Sequence, residues 1–186
     1  MLIFLDIDGT LVGTGGEVSA NVWQAAEPLR EAGARLAVCT GRPCAGVAEE
    51  IAHRLDPAAP HVFLNGALVR TAPGELLELN AIPADVLDPL IAASRRWNVT
   101  LELYTPDADY VDALTPECRR HAEAVGVEPI ARDLEEVAAE LPVLKAQWIV
   151  GGEFAERAES LEAPGCIADI STSPVMPDLL DRKSVV

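Results

Sequence analysis

Two carboxylates separated by a single residue, Asp6 and Asp8, close an apolar run at the start of the chain. The run, Leu2 to Leu5, has the all-apolar character of a strand buried on both faces of a sheet. Because side chains alternate along a strand, both carboxylates should point to the same side. Gly9 then permits a sharp turn, which would direct the following peptide groups toward whatever the carboxylates bind.

This pair of carboxylates suits phosphoryl chemistry. Two adjacent carboxylates repel each other unless a cation lies between them, and Mg2+ is a hard cation that takes oxygen ligands. One carboxylate can attack phosphorus and form an aspartyl-phosphate, while the other passes protons to the leaving oxygen and from the incoming water. The alternative is a strand-to-turn junction that carries two solvated aspartates. The complete string DIDGTL after an apolar strand favours the chemical interpretation.

A second apolar run ends in Thr40 and Gly41. A helix is predicted between the two runs, over residues 20–32, so that strand, helix and strand form a βαβ unit with parallel neighbouring strands. The carboxyl ends of such strands lie side by side, where ligands bind in open α/β sheets. The Thr40 hydroxyl and the Gly41 amide can donate to a phosphoryl oxygen. Thr40 could equally be the N-cap of a helix predicted over residues 44–55, and both roles are compatible because a helix N-terminus is an anion site.

A third apolar run, from His61, ends in Asn65 and Gly66. Asn65 occupies the position that corresponds to Asp6 and Thr40 at the ends of the first two strands. The alternative is that Asn-Gly is only a turn into a hairpin of residues 68–69 and 76–79. The residues alone leave these two interpretations open.

Composition excludes several classes of function. The chain has 186 residues, 49% of them hydrophobic, and a formal net charge of −16. That charge argues against binding to nucleic acid or to an anionic membrane. The four cysteines form no CxxC pair, which argues against zinc, and we interpret them as reduced thiols of a cytoplasmic protein, with Cys39 as a small core residue. The opening apolar run is too short for a signal peptide or a membrane span.

The pattern changes after Ile82 and Pro83. Helices and strands then follow without the acidic or Gly-rich strand ends seen earlier, which is typical of a separate α+β unit. Lys145 and Arg132 could face a ligand in this unit or carry ordinary surface charge. The predicted helices cover residues 83–97, 116–124, 134–141 and 154–161, and the predicted strands cover residues 99–104, 143–150 and 166–171, with another near 110.

The strings DIDGTL, TGR and NGA together resemble motifs of the haloacid dehalogenase (HAD) superfamily of phosphohydrolases, in its Cof-like (type IIB) branch. The resemblance implies an α/β fold, with a Rossmann-like core built on a parallel sheet (residues 1–82) and an inserted α+β cap (residues 83–172). Residues 173–186 would begin the return to the core. In this family the cap closes over the site and selects the substrate.

The resemblance also implies the roles of individual residues. Asp6 would be the nucleophile and Asp8 the general acid/base, and Mg2+ would be bound by the Asp6 carboxylate and the backbone carbonyl of Asp8. Thr40 would bind the transferring phosphoryl group. The residues expected to bind substrate are Thr40, Gly41, Arg42, Asn65 and Lys183.

The chain departs from the family pattern after the cap. The family supplies a lysine there, and then an acidic motif that completes the Mg2+ site, but residues 173–186 contain no such motif and Lys183 is the only late lysine. A surface lysine is the alternative for Lys183. The core would therefore be incomplete at its C-terminal side, with an exposed sheet edge that a homodimer could cover.

Three functions are compatible with these features. The leading hypothesis is a Mg2+-dependent phosphatase that hydrolyses a small phosphorylated metabolite, such as a sugar phosphate, through an aspartyl-phosphate. A sugar-phosphate phosphomutase would share the same motifs. A catalytically inactive fragment that only binds a phosphorylated ligand is the alternative from a different class.

Overall fold

The computed structural model describes residues 1–13, 17–151, 167–173 and 176–185, and its contacts divide the chain into two compact units, residues 1–79 and 80–186. In the first unit the strands are β1 (Leu2–Leu5), β2 (Arg35–Val38), β3 (His61–Phe63), β4 (Leu68–Arg70) and β5 (Leu76–Leu79). The helices of this unit are α1 (Ala20–Glu31) and α2 (Gly46–Leu55).

Parallel pairing organises the first unit. Strand β1 pairs with β2 in parallel, with Leu5 opposite Val38. The next connection also brings the chain back in parallel, because Cys39 forms a parallel bridge with Val62 of β3. Strands β3, β4 and β5 then form an antiparallel sheet. The predicted βαβ unit is therefore confirmed, as is the hairpin after Gly66.

The spacing of apolar residues in α2 explains why this segment folds as a helix. Its apolar side chains recur at a spacing of three and four residues, so they form one stripe that can be buried against the sheet. That stripe packs against the buried side chains of β2. The buried residues of this pair of elements are Leu36, Ala37 and Val38 in β2 and Ala48, Ile51, Ala52 and Leu55 in α2.

Strand β1 differs from its prediction. None of its four residues is buried, and Leu2 and Phe4 are 42% and 48% exposed. The prediction of a strand buried on both faces was wrong, because β1 pairs with β2 alone among the described residues and too few neighbouring side chains lie over its faces to bury them. Cys39, which we expected in the core, is also exposed, and it lies just beyond the end of β2.

The second unit contains a six-stranded sheet among its described residues, in the order β10-β11-β9-β6-β7-β8. Its neighbouring strands are antiparallel except for β7 and β8. The strands are β6 (Thr100–Tyr104), β7 (Asp109–Val111), β8 (Ile130–Ala131), β9 (Lys145–Gly151), β10 (Ile167–Ser173) and β11 (Met176–Val185). The helices are α3 (Ala84–Trp97), α4 (Pro116–Val125) and α5 (Leu134–Glu140).

The two faces of this sheet differ in chemistry. One face belongs to an apolar core with side chains of α3 and α5, and it presents Leu101, Leu103, Ala146 and Trp148. The opposite face is polar but buried, and it presents Glu102, Tyr104, Asp109, Lys145 and Gln147. Lys145 is only 4% exposed, so its interpretation as a surface charge was wrong.

The end of the chain lies in the second unit. Residues 176–185 form β11, which pairs with both β9 and β10, whereas we expected residues 173–186 to begin a return to the first unit. The predicted helix over residues 154–161 lies outside the described residues. In the part of the chain that the structure describes, no helix has the length and apolar character needed to cross a membrane.

Candidate active site

The turn after β1 places two carboxylates on the surface. The backbone amides of Thr10, Leu11 and Val12 all donate to the Ile7 carbonyl, at 3.3, 3.0 and 2.8 Å. The Ile7 side chain is fully buried, and this anchors the turn. Asp6 and Asp8, on either side of Ile7, are both exposed. Gly9 has a φ of 77°, in the left-handed region, which a glycine adopts without the steric cost of a side chain.

The end of β2 lies beside this turn. The Cys39 amide donates to the Leu5 carbonyl at 2.9 Å, which continues the parallel pairing as far as the acidic turn. Thr40 is buried, and its Oγ1 accepts a hydrogen bond of 3.2 Å from the Arg42 amide. Because a hydroxyl both accepts and donates, the Thr40 hydroxyl keeps its own proton for a ligand. Thr40 is not a helix N-cap, since α2 begins only at Gly46.

A bidentate ion pair joins the two strand ends. Arg42 donates from Nε to Oδ2 of Asp8 at 2.9 Å and from Nη2 to Oδ1 at 2.7 Å. This is the fork geometry in which an arginine matches a carboxylate best. The hydrogen bonds to Asp8 raise the pKa of the Arg42 guanidinium against the opposing effect of burial. Sequence reasoning placed both residues in the site, but it did not anticipate this contact between residues 34 positions apart in the chain.

The turn after β3 forms hydrogen bonds with the loop that contains Arg42. The Leu64 amide donates to the Arg42 carbonyl at 3.0 Å, and the Asn65 amide donates to the Thr40 carbonyl at 3.1 Å. Leu64 and Asn65 both adopt left-handed backbone conformations, with φ of 51° and 57°. Such a conformation is uncommon for a leucine and is found where neighbouring structure enforces it. The Asn65 side chain is exposed, and its backbone amide lies next to Thr40. Asn65 also precedes the β4–β5 hairpin in the chain.

Asp6 and Asp8 offer oxygen ligands that fit Mg2+. Both carboxylate oxygens of Asp8 bond to Arg42, which leaves the Asp6 carboxylate and the Asp8 carbonyl as donors. Mg2+ often binds through one or two carboxylates and fills its remaining positions with water and phosphate oxygens, so this donor set fits it. The described residues contain no group of three or more His, Cys, Asp or Glu side chains that could hold a metal.

Lys183 belongs to the second unit, whereas the other predicted site residues belong to the first. It lies in β11 of the second unit, in register with Gln147 of β9 and Asp169 of β10. Within the first unit, the contacts just described link Asp8, Thr40, Arg42 and Asn65, and Gly41 lies between Thr40 and Arg42 in the sequence. The assignment of Lys183 to a phosphate stays a prediction.

Comparison with known proteins identifies the family of this chain. Residues 3–149 match the family model described as haloacid dehalogenase-like hydrolase. The curated relatives include YxeH of Bacillus subtilis, which is 32% identical over 56% of this chain and 38% of its own length. They also include M6_Spy0533 of Streptococcus pyogenes serotype M6, which is 30% identical over 59% of this chain and 42% of its own length. Both are named as phosphatases, and this chain spans about two fifths of each.

Solved structures share the fold. BT1666 from Bacteroides thetaiotaomicron superposes with a TM-score of 0.75 at 23% identity, covering 100% of this chain and 66% of its own. TM0651 from Thermotoga maritima gives 0.75 at 20% identity, covering 100% and 69%. BT4131, titled a HAD subclass IIB sugar phosphatase, gives 0.74 at 19% identity, covering 99% and 70%. These likenesses confirm the predicted α/β fold class.

Proposed function

We propose that this chain, which belongs to the haloacid dehalogenase-like hydrolases, takes part in hydrolysing the phosphate ester of a small metabolite through an aspartyl-phosphate. The observation that carries the proposal is the ion pair that links the end of β1 to the end of β2. The acidic turn after β1 and the Thr40–Gly41 turn after β2 lie side by side, and Arg42 links them through Asp8. These hydrogen bonds connect the Asp8 carboxylate and the Thr40 hydroxyl through a single residue, Arg42, which supports a shared site at the two strand ends.

Asp6 and Asp8 divide the chemistry between them. A carboxylate oxygen of Asp6 attacks phosphorus, the bond to the leaving alcohol breaks, and an aspartyl-phosphate forms. Asp8 gives a proton to the leaving oxygen, and it later takes one from the water that hydrolyses the aspartyl-phosphate. Both side chains are exposed, which allows a substrate and a water to reach them.

Thr40 and the Gly41 amide hold the phosphoryl oxygens. The Thr40 hydroxyl accepts from the Arg42 amide, so that its proton is available to a phosphoryl oxygen. Donors fixed before the reaction begins stabilise the charge that develops on the transferring group. Mg2+, held by the Asp6 carboxylate and the Asp8 carbonyl, would supply charge neutralisation for these oxygens when bound.

For the substrate we propose a sugar phosphate or a similar small metabolite. One solved structure that shares the fold is named a sugar phosphatase, which supports a sugar phosphate or a similar small metabolite as substrate. A phosphomutase on sugar phosphates would use the same residues. A hydrolysis assay separates the two, because a mutase returns the phosphoryl group to the sugar instead of releasing it.

The decisive experiment is the hydrolysis of p-nitrophenyl phosphate by the 186-residue chain, in Mg2+ and in EDTA. We expect turnover in Mg2+ that falls at least about a hundredfold in Asp6→Asn, because the amide cannot attack phosphorus. Glu49→Gln is the matched control, since it removes an exposed carboxylate of α2 in the same unit. Full activity of Asp6→Asn would refute the assignment of the nucleophile.

A second candidate function is binding of a phosphorylated ligand without turnover. One observation favours it: both carboxylate oxygens of Asp8 accept hydrogen bonds from Arg42, so the proposed general acid/base is engaged in an ion pair. In that case inorganic phosphate would shift the amide resonances of Thr40 and Gly41, while phosphatase activity would be absent at every Mg2+ concentration.

A further inference from the structure

We infer that Arg42 changes partner during the reaction: it holds Asp8 in the ligand-free protein and passes to the phosphoryl group of the bound substrate, which frees Asp8. The inference rests on the proposed phosphatase function. It makes Arg42 a positioning residue for Asp8 as well as a substrate-binding residue.

The backbone of Arg42 is fixed, so its side chain is the part that can move. The Arg42 amide donates to Thr40 Oγ1 at 3.2 Å, and its carbonyl accepts from the Leu64 amide at 3.0 Å. Arg42 directly follows Thr40 and Gly41, whose hydroxyl and amide form the proposed phosphoryl site. Its side chain therefore starts beside the position that the phosphoryl group would occupy.

The observed pair occupies both oxygens of Asp8. Oδ2 accepts from Nε of Arg42 and Oδ1 accepts from Nη2. A carboxyl group that passes a proton to a leaving oxygen must turn one oxygen toward that atom. The guanidinium fork takes the lone pair of each oxygen that faces Arg42, and a proton carried in that position would meet an N–H donor. Transfer of a proton from that position therefore requires at least one of the two hydrogen bonds to open.

A phosphoryl group is a suitable competitor for the guanidinium. It carries up to two negative charges on three oxygens, against one charge on the Asp8 carboxylate, and the arginine fork matches either geometry. The two partners differ in exposure, because the side chain of Asp8 is 52% exposed and that of Arg42 is 20% exposed. Asp8 can therefore turn into solvent when the pair opens, and solvent on its side weakens the pair relative to a fully buried one.

Nuclear magnetic resonance of the unmodified chain tests the exchange without requiring activity. Inorganic phosphate is titrated into labelled protein in the presence of Mg2+. We expect the Thr40 and Gly41 amide signals to shift together with the Arg42 Nε–H signal and the Asp8 carboxyl carbon signal. Arg35 is an internal control, because it forms an equivalent bidentate pair with Asp56 at the other end of β2, and its Nε–H signal should stay in place.

The outcomes of this titration are distinguishable. If the Thr40 and Gly41 amides shift while the Arg42 and Asp8 signals keep their ligand-free positions, the exchange is refuted and the phosphoryl site stands. If none of these signals shifts at saturating phosphate, both the exchange and the proposed phosphoryl site are refuted.

The dependence on the leaving group supplies a second test. In Arg42→Lys the charge remains but the fork that can hold the phosphoryl group is lost. Because Asp8 is already released from Arg42 when the proton is transferred, we expect kcat/KM on glycerol phosphate and on p-nitrophenyl phosphate to fall by the same factor, at least about tenfold, although only the alkoxide needs a proton to leave. Arg35→Lys is the matched control. A loss at least about tenfold larger on glycerol phosphate would mean that Arg42 still orients Asp8 during proton transfer, which would overturn the exchange.

Discussion

Nδ1 of the His61 side chain accepts a hydrogen bond of 3.1 Å from the backbone amide of Val38. The other ring nitrogen, Nε2, lies 2.9 Å from the Asp56 carbonyl, and since a carbonyl only accepts, Nε2 carries the proton. The imidazole is fully buried and connects β3 to β2 just before β2 reaches Thr40. This contact therefore stabilises the strand end on which the candidate site depends.

The first unit should lose stability in mild acid because of His61. Burial lowers the pKa of the His61 imidazole below its ordinary value of 6.5. As the pH falls below about 6.5, the unfolded chain binds a proton that the folded chain resists, so His61 contributes stability at higher pH that is lost on acidification. We expect a slope of up to about 1.4 kcal/mol per pH unit in the free energy of unfolding. Urea unfolding, followed by the amide signals of β2, measures it.

Two variants check this assignment. His61→Gln should remove the slope, and it should cost about 1–3 kcal/mol at pH 8, because buried backbone groups lose well-placed partners. His53→Gln changes an exposed histidine of α2 in the same unit and should keep the wild-type profile. A wild-type slope that survives in His61→Gln would contradict the role of His61.

Asp109 should produce the opposite pH dependence in the second unit. Burial, and then the nearby charge of Glu102, raise the pKa of the Asp109 carboxyl from 3.8 to about 7. The folded chain binds this proton more tightly than the unfolded chain, so stability falls as the pH rises from about 4 to about 7. The total loss is at most about 4 kcal/mol. Urea unfolding at several pH values, followed by signals of β7, measures it.

The matched variants are Asp109→Asn and Asp88→Asn. The first replaces the buried carboxyl by a neutral amide and should flatten the profile between pH 4 and 7. The second changes an exposed carboxylate of α3 in the same unit and should leave the profile as it is. If the Asp109→Asn profile retains the full decline, the proton belongs to another group.

The exposed side chains of β1 should be replaceable at little cost in stability. Phe4 is 48% exposed, so Phe4→Lys should reduce the free energy of unfolding by less than about 1 kcal/mol. Leu36 of β2 is 1% exposed, and Leu36→Ala should cost about 2–5 kcal/mol. Both values come from urea unfolding of the first unit. Measured on the monomer at low protein concentration, a large loss in Phe4→Lys would show that β1 is covered within a single chain.

The same variant tests the proposed homodimer. Two copies that cover their β1 edges would bury Leu2 and Phe4, and a charge at position 4 would then oppose association. Sedimentation velocity of the wild type and of Phe4→Lys decides the matter. We expect a wild-type dimer that Phe4→Lys converts to a monomer, and an unchanged dimer would place the interface elsewhere.

Local patterns predicted most of the elements that carry the site. The apolar strands, the helical spacing in α2 and α3, and the polar residues at three strand ends are all encoded within a few positions of one another. Burial was harder to predict, because it depends on neighbours from distant parts of the chain. Lys145 looks like a surface residue in sequence, yet pairing of β9 with β6 places it over the ring of Tyr104, 4.8 Å from its centre.

The contacts within the site could not be predicted from the sequence either, because they also depend on residues that are distant in the chain. A leucine gives no local signal for a left-handed backbone, so the conformation of Leu64 follows only from its hydrogen bond to Arg42. The pairing of Arg42 with Asp8 needs the register of β1 and β2, which sequence patterns leave undetermined. The chemistry of individual residues was thus readable, while their mutual contacts required the fold.

Thr40 offers a final test of how the site works, because its hydroxyl has two functions. Its oxygen accepts from the Arg42 amide, and its proton is proposed to bind the phosphoryl group. Thr40→Val keeps the shape and removes both hydrogen bonds, so we expect kcat/KM for p-nitrophenyl phosphate to fall about 10- to 1,000-fold. Thr40→Ser keeps the hydroxyl and should retain most of the activity. Equal activity of the valine and serine variants would show that the hydroxyl plays no part in the reaction.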